Sequence, residues 1–268
     1  MLIDATSTAS ARAVEIQRCY YADTASQYDS MHALEGVADP FAQAYVPSIL
    51  AMLGIQTVLD VGSATGRGLK DFQKALPGAF VCGLEPVAAL VQQARLFSDS
   101  AQLAMVQASG EALPFSDASF DAVCEFAILH HVPDPAKVLR EMMRVSRRVL
   151  VVVDCNRFGQ GTWPLRIFKL LLYKLGLWGI FDYIRTRGKR YQISEGDALF
   201  YTYSVFDSYN LIAEWADRVL LIPGEKTEVK SWFNPLLTSQ GIILVAIRDV
   251  PSIKLATFIL HHRVARRL

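Results

Sequence analysis

A short apolar strand that runs directly into a glycine-rich turn constrains this chain more than any other feature. Residues 58–68 read VLDVGSATGRG, with Asp60 in the strand and Gly62 and Gly66 in the turn. The next apolar run ends in Glu85, twenty-five positions after Asp60. Small residues let the backbone approach a ligand, and a carboxylate at the end of the next strand can accept hydrogen bonds from both ribose hydroxyls. The pattern therefore predicts a site for a cofactor that carries a nucleoside.

Apolar runs and amphipathic segments alternate along most of the chain. The run RVLVVV at 148–153 is typical of a central parallel strand that is buried on both faces. The other predicted strands are 56–61, 79–84, 102–106, 120–126, 218–222 and 241–247, and the predicted helices are 8–28, 40–53, 67–76, 87–97, 134–146 and 205–217. The last two strands are joined by a loop of fewer than twenty residues with no clear helix, which favours an antiparallel pair. We predict an α/β fold: a doubly wound, Rossmann-like, seven-stranded sheet, mostly parallel with an antiparallel last strand, and with ligands at the carboxyl ends of its strands.

The same pattern divides the chain into five parts. An N-terminal helical cap covers 1–54, and the cofactor-binding Rossmann-like core covers 55–155. The alternation then stops, because 156–204 is an irregular segment rich in aromatic and basic residues, which we interpret as an inserted substrate lid. The core sheet resumes over 205–250, and a basic tail occupies 251–268.

Charge and cysteine usage narrow the function and the compartment. The formal net charge is +1, from 27 basic and 26 acidic residues, which argues against a general nucleic-acid binder. Cys19, Cys82, Cys124 and Cys155 form no C-x-x-C pair, so we expect free thiols in a reducing compartment. The N-terminus has neither the basic nor the apolar region of a signal peptide. We expect a cytoplasmic protein, with peripheral membrane contact as an open alternative.

Three segments, in the right order, resemble the class I S-adenosylmethionine-dependent methyltransferases. The resemblance is strongest to the subgroup related to ubiquinone and menaquinone biosynthesis enzymes, the methyltransferase domain 11 type. The matching segments are VLDVGSATG at 58–66, GLEP at 83–86, and GEALPFSDASFDAV at 110–123, which continues into LHHVPDP at 129–135. The resemblance covers 45–155 well and agrees in topology over 205–249.

This resemblance implies S-adenosylmethionine as the cofactor and S-adenosylhomocysteine as its product. It also implies cofactor-binding roles for particular residues: Asp60, Gly62, Ser63 and Gly66 at the amino-acid end, Glu85 and Pro86 at the ribose, Ser109, Gly110 and Glu111 beside the adenine, the backbone at Glu125 and Phe126 near the ammonium group, and His130 over one side of the site. Two positions depart from the family pattern. Ala64 stands where glycine is usual, and Ser109 stands where aspartate is frequent, so the turn is less open and adenine recognition is weaker.

Three residues are candidates to deprotonate or orient the methyl acceptor. They are His131, Tyr21 and Asp154, in falling order of preference. Histidine titrates near neutral pH and therefore suits a general base. We predict no metal site, because His130 and His131 have no further ligand at a suitable sequence spacing.

The segment 163–181 leaves two interpretations open. Its apolar residues are interrupted by Arg166, Lys169 and Lys174, so it is too charged to span a bilayer. It can pack over the substrate pocket as a lid, or it can make peripheral membrane contact. Its apolar content favours a small-molecule methyl acceptor with a hydrophobic portion, and the sequence does not choose between O-, N-, S- and C-methylation.

Three alternative functions also stay open. The first is a peripheral membrane methyltransferase for a lipid or quinone-like acceptor, and the second is a non-catalytic S-adenosylmethionine-binding protein. The third, a nicotinamide-dependent oxidoreductase, is disfavoured because Gly62, Gly66 and Gly68 do not match the G-x-G-x-x-G spacing. The sequence does not predict the oligomeric state.

Overall fold

A seven-stranded sheet organises the computed structural model, which describes residues 2–32, 40–96, 102–194, 198–225 and 234–248. The helices are α1 (Leu2–Thr24), α2 (Tyr28–Met31), α3 (Pro40–Met52), α4 (Leu69–Ala75), α5 (Ala88–Leu96), α6 (Pro135–Val145), α7 (Trp163–Lys174), α8 (Trp178–Arg185) and α9 (Val205–Trp215). The strands are β1 (Thr57–Val61), β2 (Phe80–Glu85), β3 (Leu103–Gln107), β4 (Phe120–Phe126), β5 (Ser146–Cys155), β6 (Tyr191–Ser194), β7 (Ala198–Tyr201), β8 (Arg218–Pro223) and β9 (Gly241–Ile247). The predicted tail at 251–268 lies outside the described residues.

The strand order in the large sheet is β3-β2-β1-β4-β5-β9-β8. All neighbours from β3 to β5 are parallel, whereas β9 runs antiparallel to both β5 and β8. The predicted fold class is therefore confirmed. The order reverses beside β1, so the carboxyl ends of β1, β2 and β4 border the crevice where such sheets bind ligands.

Burial on both faces explains why the central strands are almost continuously apolar. Successive side chains of a strand point to opposite faces, and β5 follows this alternation. Leu150 and Val152 pack in one core layer, while Val149, Val151 and Val153 pack in the other. Each fully buried side chain of this size stabilises the fold by about 1.5–3 kcal/mol. Over residues 40–155 and 205–247, every predicted strand and helix begins and ends within two residues of the observed element.

The insertion at 156–204 is regular, which corrects its description as irregular. It contains the helices α7 and α8 and the antiparallel hairpin β6–β7. Its sequence mixes apolar and basic residues so closely that no periodicity stands out. Among the described helices, none combines the length and the apolarity needed to cross a bilayer.

A buried arginine fixes the insertion to the core. The guanidinium of Arg157 forms a two-pronged ion pair with Asp207 at the start of α9 and donates to the carbonyl of Thr202 at 3.1 Å. The guanidinium carbon of Arg157 also lies 4.6 Å from the ring centroid of Trp178, at the start of α8. One side chain thus joins the end of β5, the helical hairpin and the sheet-covering helix α9.

We expect Arg157→Ala to lower the free energy of unfolding by about 3 kcal/mol, because Asp207 would keep its charge without a partner in a largely buried site. Urea denaturation followed by circular dichroism measures this. Lys74→Ala is the control, since Lys74 pairs with Asp71 on an exposed helix surface. A midpoint that moves equally in both variants would contradict the anchoring role of Arg157.

Candidate functional site

A cavity of about 560 Å³ opens at the carboxyl ends of β1, β2 and β4, beneath the N-terminal helix α1. Its volume is in the range of small-molecule and cofactor sites. The predicted site residues on its wall are Tyr21, Gly62, Glu85, Pro86, Ser109, Gly110, Glu111, Phe126 and His131. These residues are far apart in the sequence and come from four strand ends and the cap, so the fold brings most of the predicted site together.

The turn after β1 requires glycine at its first position. Gly62 has a φ of +78°, and a Cβ there would lie 2.4 Å from Cγ2 of Ile128. Gly66, with a φ of +73°, donates its N–H to the carbonyl of Ser63 at 2.8 Å and closes the turn. Gly66 is part of the turn but does not line the cavity or the neighbouring recess, as far as the described residues show.

Ala64 adopts the left-handed conformation, with a φ of 49°, at the position where the sequence departs from the family pattern. This conformation costs a residue with a Cβ roughly 1–2 kcal/mol. The methyl group packs in a small apolar cluster with Ala25, Val87 and Leu90. That packing offsets part of the cost and ties the turn to the N-terminal cap.

Glu85 has a fixed orientation at the end of β2. Its Oε1 accepts from the N–H of Val87 at 2.9 Å, and its Oε2 accepts from the N–H of Ala64 at 3.2 Å. Burial raises the pKa of this carboxyl to about 7, although the two N–H groups act in the opposite direction. Each oxygen keeps a second lone pair, so the carboxylate is able to accept from hydroxyl groups in the cavity.

Asp60 lies in a narrow recess of about 90 Å³ beside the main cavity, together with Ser63. The residues on the walls of both spaces are Tyr28, Gly62, Ala64, Arg67 and Phe126. Burial, and then the charge of Glu85, raise the pKa of Asp60 to about 8. A cationic group in the recess would favour the ionised form of Asp60, which fits the amino-acid end of the predicted cofactor.

The N-terminal helix supplies a wall that the motifs did not identify. Ala11, Val14, Gln17 and Arg18 line the cavity, and Tyr21 continues the same helical face. The spacing of three and four residues is the signal that identifies these positions as one face. The cap is joined to the turn by Thr65, whose hydroxyl donates to Oδ1 of Asp29 at 2.6 Å.

His131 is on the cavity wall, and its Nδ1 has two polar neighbours. It lies 2.7 Å from the carbonyl oxygen of Leu199 and 3.0 Å from Nε2 of Gln17. A carbonyl oxygen only accepts and an amide NH2 only donates, so the first contact favours the Nδ1-protonated tautomer and the second favours the Nε2-protonated one. Gln17 is held in turn, because its Oε1 accepts from the N–H of Leu199 at 2.8 Å.

The structure places Asp154 and His130 away from the described wall of the cavity. Both are buried. Oδ1 of Asp154 is 2.8 Å from Nδ1 of His130, and Oδ2 accepts from the N–H groups of Leu129 and His130. Burial would raise the pKa of Asp154, but the charge and hydrogen bond of His130 and the N–H of Cys155 hold it below its usual value. Through these bonds Asp154 holds the loop that carries His131.

The fold brings His130, Asp154 and Cys155 within 4.8 Å of one another through their ligand atoms, which sequence spacing did not reveal. A metal ion would need the thiolate of Cys155. Burial, followed by the charge of Asp154, raises the pKa of that thiol well above its usual value. Since Asp154 already satisfies the ring and the loop, the chemistry of this donor set does not favour a metal.

Glu125 supports the cavity from below. Its side chain is fully buried, and its Oε2 accepts from the N–H of Ile128 at 3.0 Å. Burial, and next the charge of Asp154, raise the pKa of Glu125 well above its usual value. Of the predicted pair, the Phe126 side chain lines the cavity, whereas the Glu125 side chain holds the Ile128 turn against Gly62.

Comparison with known proteins agrees with this geometry. Residues 59–149 match a family model described as a methyltransferase domain. An uncharacterised methyltransferase of Mycobacterium leprae is 31% identical over 62% of this chain and 61% of its own length. A demethylmenaquinone methyltransferase of Roseiflexus castenholzii is 28% identical over 57% of this chain and 68% of its own. The chain thus spans less than two thirds of the mycobacterial relative that it matches.

A solved structure shares the fold. The 1,6-didemethyltoxoflavin N1-methyltransferase of Burkholderia thailandensis, which was crystallised with its substrate and S-adenosylhomocysteine, superposes with a TM-score of 0.54. The match covers 90% of each chain at 16% identity, which establishes the fold alone. The glycine turn, Glu85 and the 560 Å³ cavity fit S-adenosylmethionine as the cofactor of that fold. The resemblance predicted from the motifs is confirmed over residues 59–149, which match the methyltransferase domain model.

Proposed function

We propose that this protein transfers a methyl group from S-adenosylmethionine to a small-molecule acceptor with a hydrophobic portion. The observation that carries the proposal is the Gly62 turn packed on Ile128 beside a fixed Glu85 carboxylate, within a matched methyltransferase domain. When bound, the cofactor supplies a methyl carbon that is already activated by a positively charged sulfur. The protein then has to hold and orient the cofactor and the acceptor and to exclude water from the site. It also has to accept a proton where the acceptor carries one.

The cofactor would be held by residues of three strand ends. Glu85 would accept from the ribose hydroxyls, and Asp60 would face the amino-acid end in the recess. Ser109 would accept from the adenine through its hydroxyl oxygen, which also accepts from the N–H of Glu111 at 3.3 Å. The Glu111 side chain is bound to Lys137 at 2.9 Å and borders the cavity.

His131 is the general base of the proposal. In the tautomer that the proposal requires, Nδ1–H donates to the carbonyl of Leu199 and the basic lone pair is on Nε2. A proton accepted at Nε2 gives an imidazolium whose positive charge the same carbonyl stabilises. The ring of Tyr21 packs edge-on against His131 at 6.2 Å and restricts its orientation.

Apolar side chains support an acceptor with a hydrophobic portion. Val14, Ile128 and Val132 line the cavity that also contains His131. The buried thiols of Cys82 and Cys124 support the proposed cytoplasmic setting.

A screen of phenol, amine, thiol and activated-carbon acceptors with an isotopically labelled methyl donor tests the activity directly. Failure of every acceptor class, with cofactor binding intact, would favour a non-catalytic binding protein.

We expect Gly62→Ala to weaken S-adenosylmethionine binding by more than about tenfold, because the new methyl would collide with Ile128 and displace the turn. Calorimetric titration with the cofactor and with S-adenosylhomocysteine measures the loss. Gly54→Ala is the matched control, because Gly54 also has a positive φ, of 65°, but a Cβ there meets nothing within 4 Å. Equal cofactor affinities in the two variants would show that the Gly62 turn is not part of the cofactor site.

Cofactor affinity should rise with pH through about 7. The pKa of Glu85 is raised to about 7, so the carboxyl is protonated below that value and accepts poorly from ribose hydroxyls. Glu85→Gln should flatten this part of the profile, measured by titration between pH 5.5 and 8.5. The rise that remains in that variant belongs to Asp60, and it should lie below pH 8, because the charge of Glu85 contributes to the raised pKa of Asp60. An unchanged profile in Glu85→Gln would contradict the ribose assignment.

We expect His131→Ala to bind the cofactor normally and to lower kcat by about 10²–10⁴-fold, which is the range of a lost general base. Steady-state kinetics with an acceptor from the screen measures the effect. His32→Ala is the control, because His32 is the other histidine on the described cavity wall. If His32→Ala loses turnover and His131→Ala does not, the base has been assigned to the wrong residue.

A further inference from the structure

Three of the four lysines and arginines of α7 and α8 form polar bonds within the protein, whereas Lys174 is exposed. Lys169 is only 9% exposed, and its ammonium group donates to the carbonyl oxygens of Arg157 and, at 2.9 Å, Gln160. Arg166 donates to the carbonyls of Gly161 and Leu237 at 2.7 and 2.8 Å. In α8, Arg185 pairs with Asp182 at 2.8 Å. The inner side of this helical hairpin is therefore held by polar bonds.

The outer side of the same hairpin is apolar, which reverses the usual arrangement of a surface helix. Ile180 is 61% exposed and Ile184 is 70% exposed. We call the whole set the hairpin face, and its members are Leu165, Ile167, Phe168, Leu171, Leu175, Leu177, Ile180, Tyr183 and Ile184. None of these residues lines the described cavity, so the hairpin does not close the acceptor pocket with this face. A contiguous apolar surface of this kind marks a site of association.

Exposed cations border the hairpin face. Lys174, Arg187, Lys189 and Arg190 are all on the surface, and the guanidinium carbon of Arg190 lies 5.8 Å from the ring centroid of Tyr183. Residues 163–190 hold seven lysines and arginines and one aspartate, although the whole chain has a net charge of only +1. An occupant of this surface must therefore offer negative charge around an apolar interior.

An anionic lipid surface meets both requirements. Apolar side chains enter the boundary between headgroups and acyl chains, and lysines and arginines bind the negative headgroups. A second copy of the same hairpin fits less well, because it would place the same cations against one another. The lengths of α7 and α8 suit helices that lie in the plane of the surface, since neither is able to span it.

We propose that the hairpin face docks the protein on an anionic lipid bilayer, with α7 and α8 lying in the interface plane. The hairpin follows directly from β5, whose carboxyl end lies at the same edge of the sheet as the cavity. Docking therefore brings the edge of the sheet that binds the cofactor toward the lipid surface. The inference stands on the exposed hairpin and does not depend on methyl transfer.

Co-sedimentation of the full chain with vesicles tests the proposal. We expect binding to phosphatidylcholine vesicles that contain 30% phosphatidylglycerol, and little binding to pure phosphatidylcholine vesicles. Raising the salt concentration should weaken it, since each cation near the surface contributes about fivefold to partitioning at ordinary ionic strength. The charge variant Lys174→Gln/Lys189→Gln should therefore bind about 25-fold more weakly.

The apolar variant is Ile180→Ser/Ile184→Ser, which alters two exposed side chains and should leave the fold intact. We expect it to lose vesicle binding by more than about tenfold. Met52→Ser is the matched control, because Met52 is 83% exposed on α3, outside the hairpin, and should bind as the wild type does. Unchanged thermal unfolding of all variants would show that they are folded.

Three results would overturn the proposal. The first is equal binding to neutral and anionic vesicles, or none to either. The second is a concentration-dependent dimer, seen in sedimentation velocity, that Ile180→Ser/Ile184→Ser dissociates, which would assign the face to a second copy. The third is vesicle binding that occurs only after removal of residues 249–268, which would assign the face to that segment of the chain.

Discussion

Three buried carboxyl groups at the ends of neighbouring strands hold the loops that form the cavity. Glu85 at the end of β2 binds the backbone of the Ala64 turn, and Glu125 in β4 binds Ile128. Asp154 in β5 binds Leu129 and His130. Burying carboxyl groups is unfavourable unless hydrogen bonds satisfy them, and loops at this edge supply the N–H donors. The arrangement works in both directions, because the acids accept from these N–H groups and the same bonds hold the loops against the strand ends.

The strands of the sheet follow from local sequence signals. Continuous β-branched runs specify β5 and β9, and the turn chemistry after β1 specifies where the ligand approaches. The site residues nearest to these signals, Gly62 and Glu85, lie where the motifs placed them. Asp154 and His130 are buried away from the described cavity wall. Their position in the sequence does not distinguish a side chain on the cavity wall from one that points into the core. The direction of a side chain after a strand end is set by packing partners from distant parts of the chain.

The insertion was harder to predict for a related reason. Prediction of helices from a sequence assumes that apolar faces turn inward. In α7 the inward residue is Lys169, bound to backbone carbonyls, and Ile167 and Leu171 face outward. The apolar residues of 163–181 are therefore visible in the sequence, but which side of the helix they occupy relative to the core is not. A lid and a membrane contact are both compatible with this pattern, because each needs an apolar side and the sequence does not show which way that side faces.

The bond between His131 and Leu199 has a consequence for how this fold can be divided. Leu199 belongs to β7, within the insertion, and Gln17, which binds its N–H, belongs to the first helix. The orientation of the imidazole is thus decided by two segments that lie on either side of the nucleotide-binding unit in the chain. Grafting only that unit onto another scaffold would transfer the cofactor pocket without the groups that orient the His131 ring. Recombination in such proteins should accordingly preserve the first helix and the β6–β7 hairpin as a matched pair.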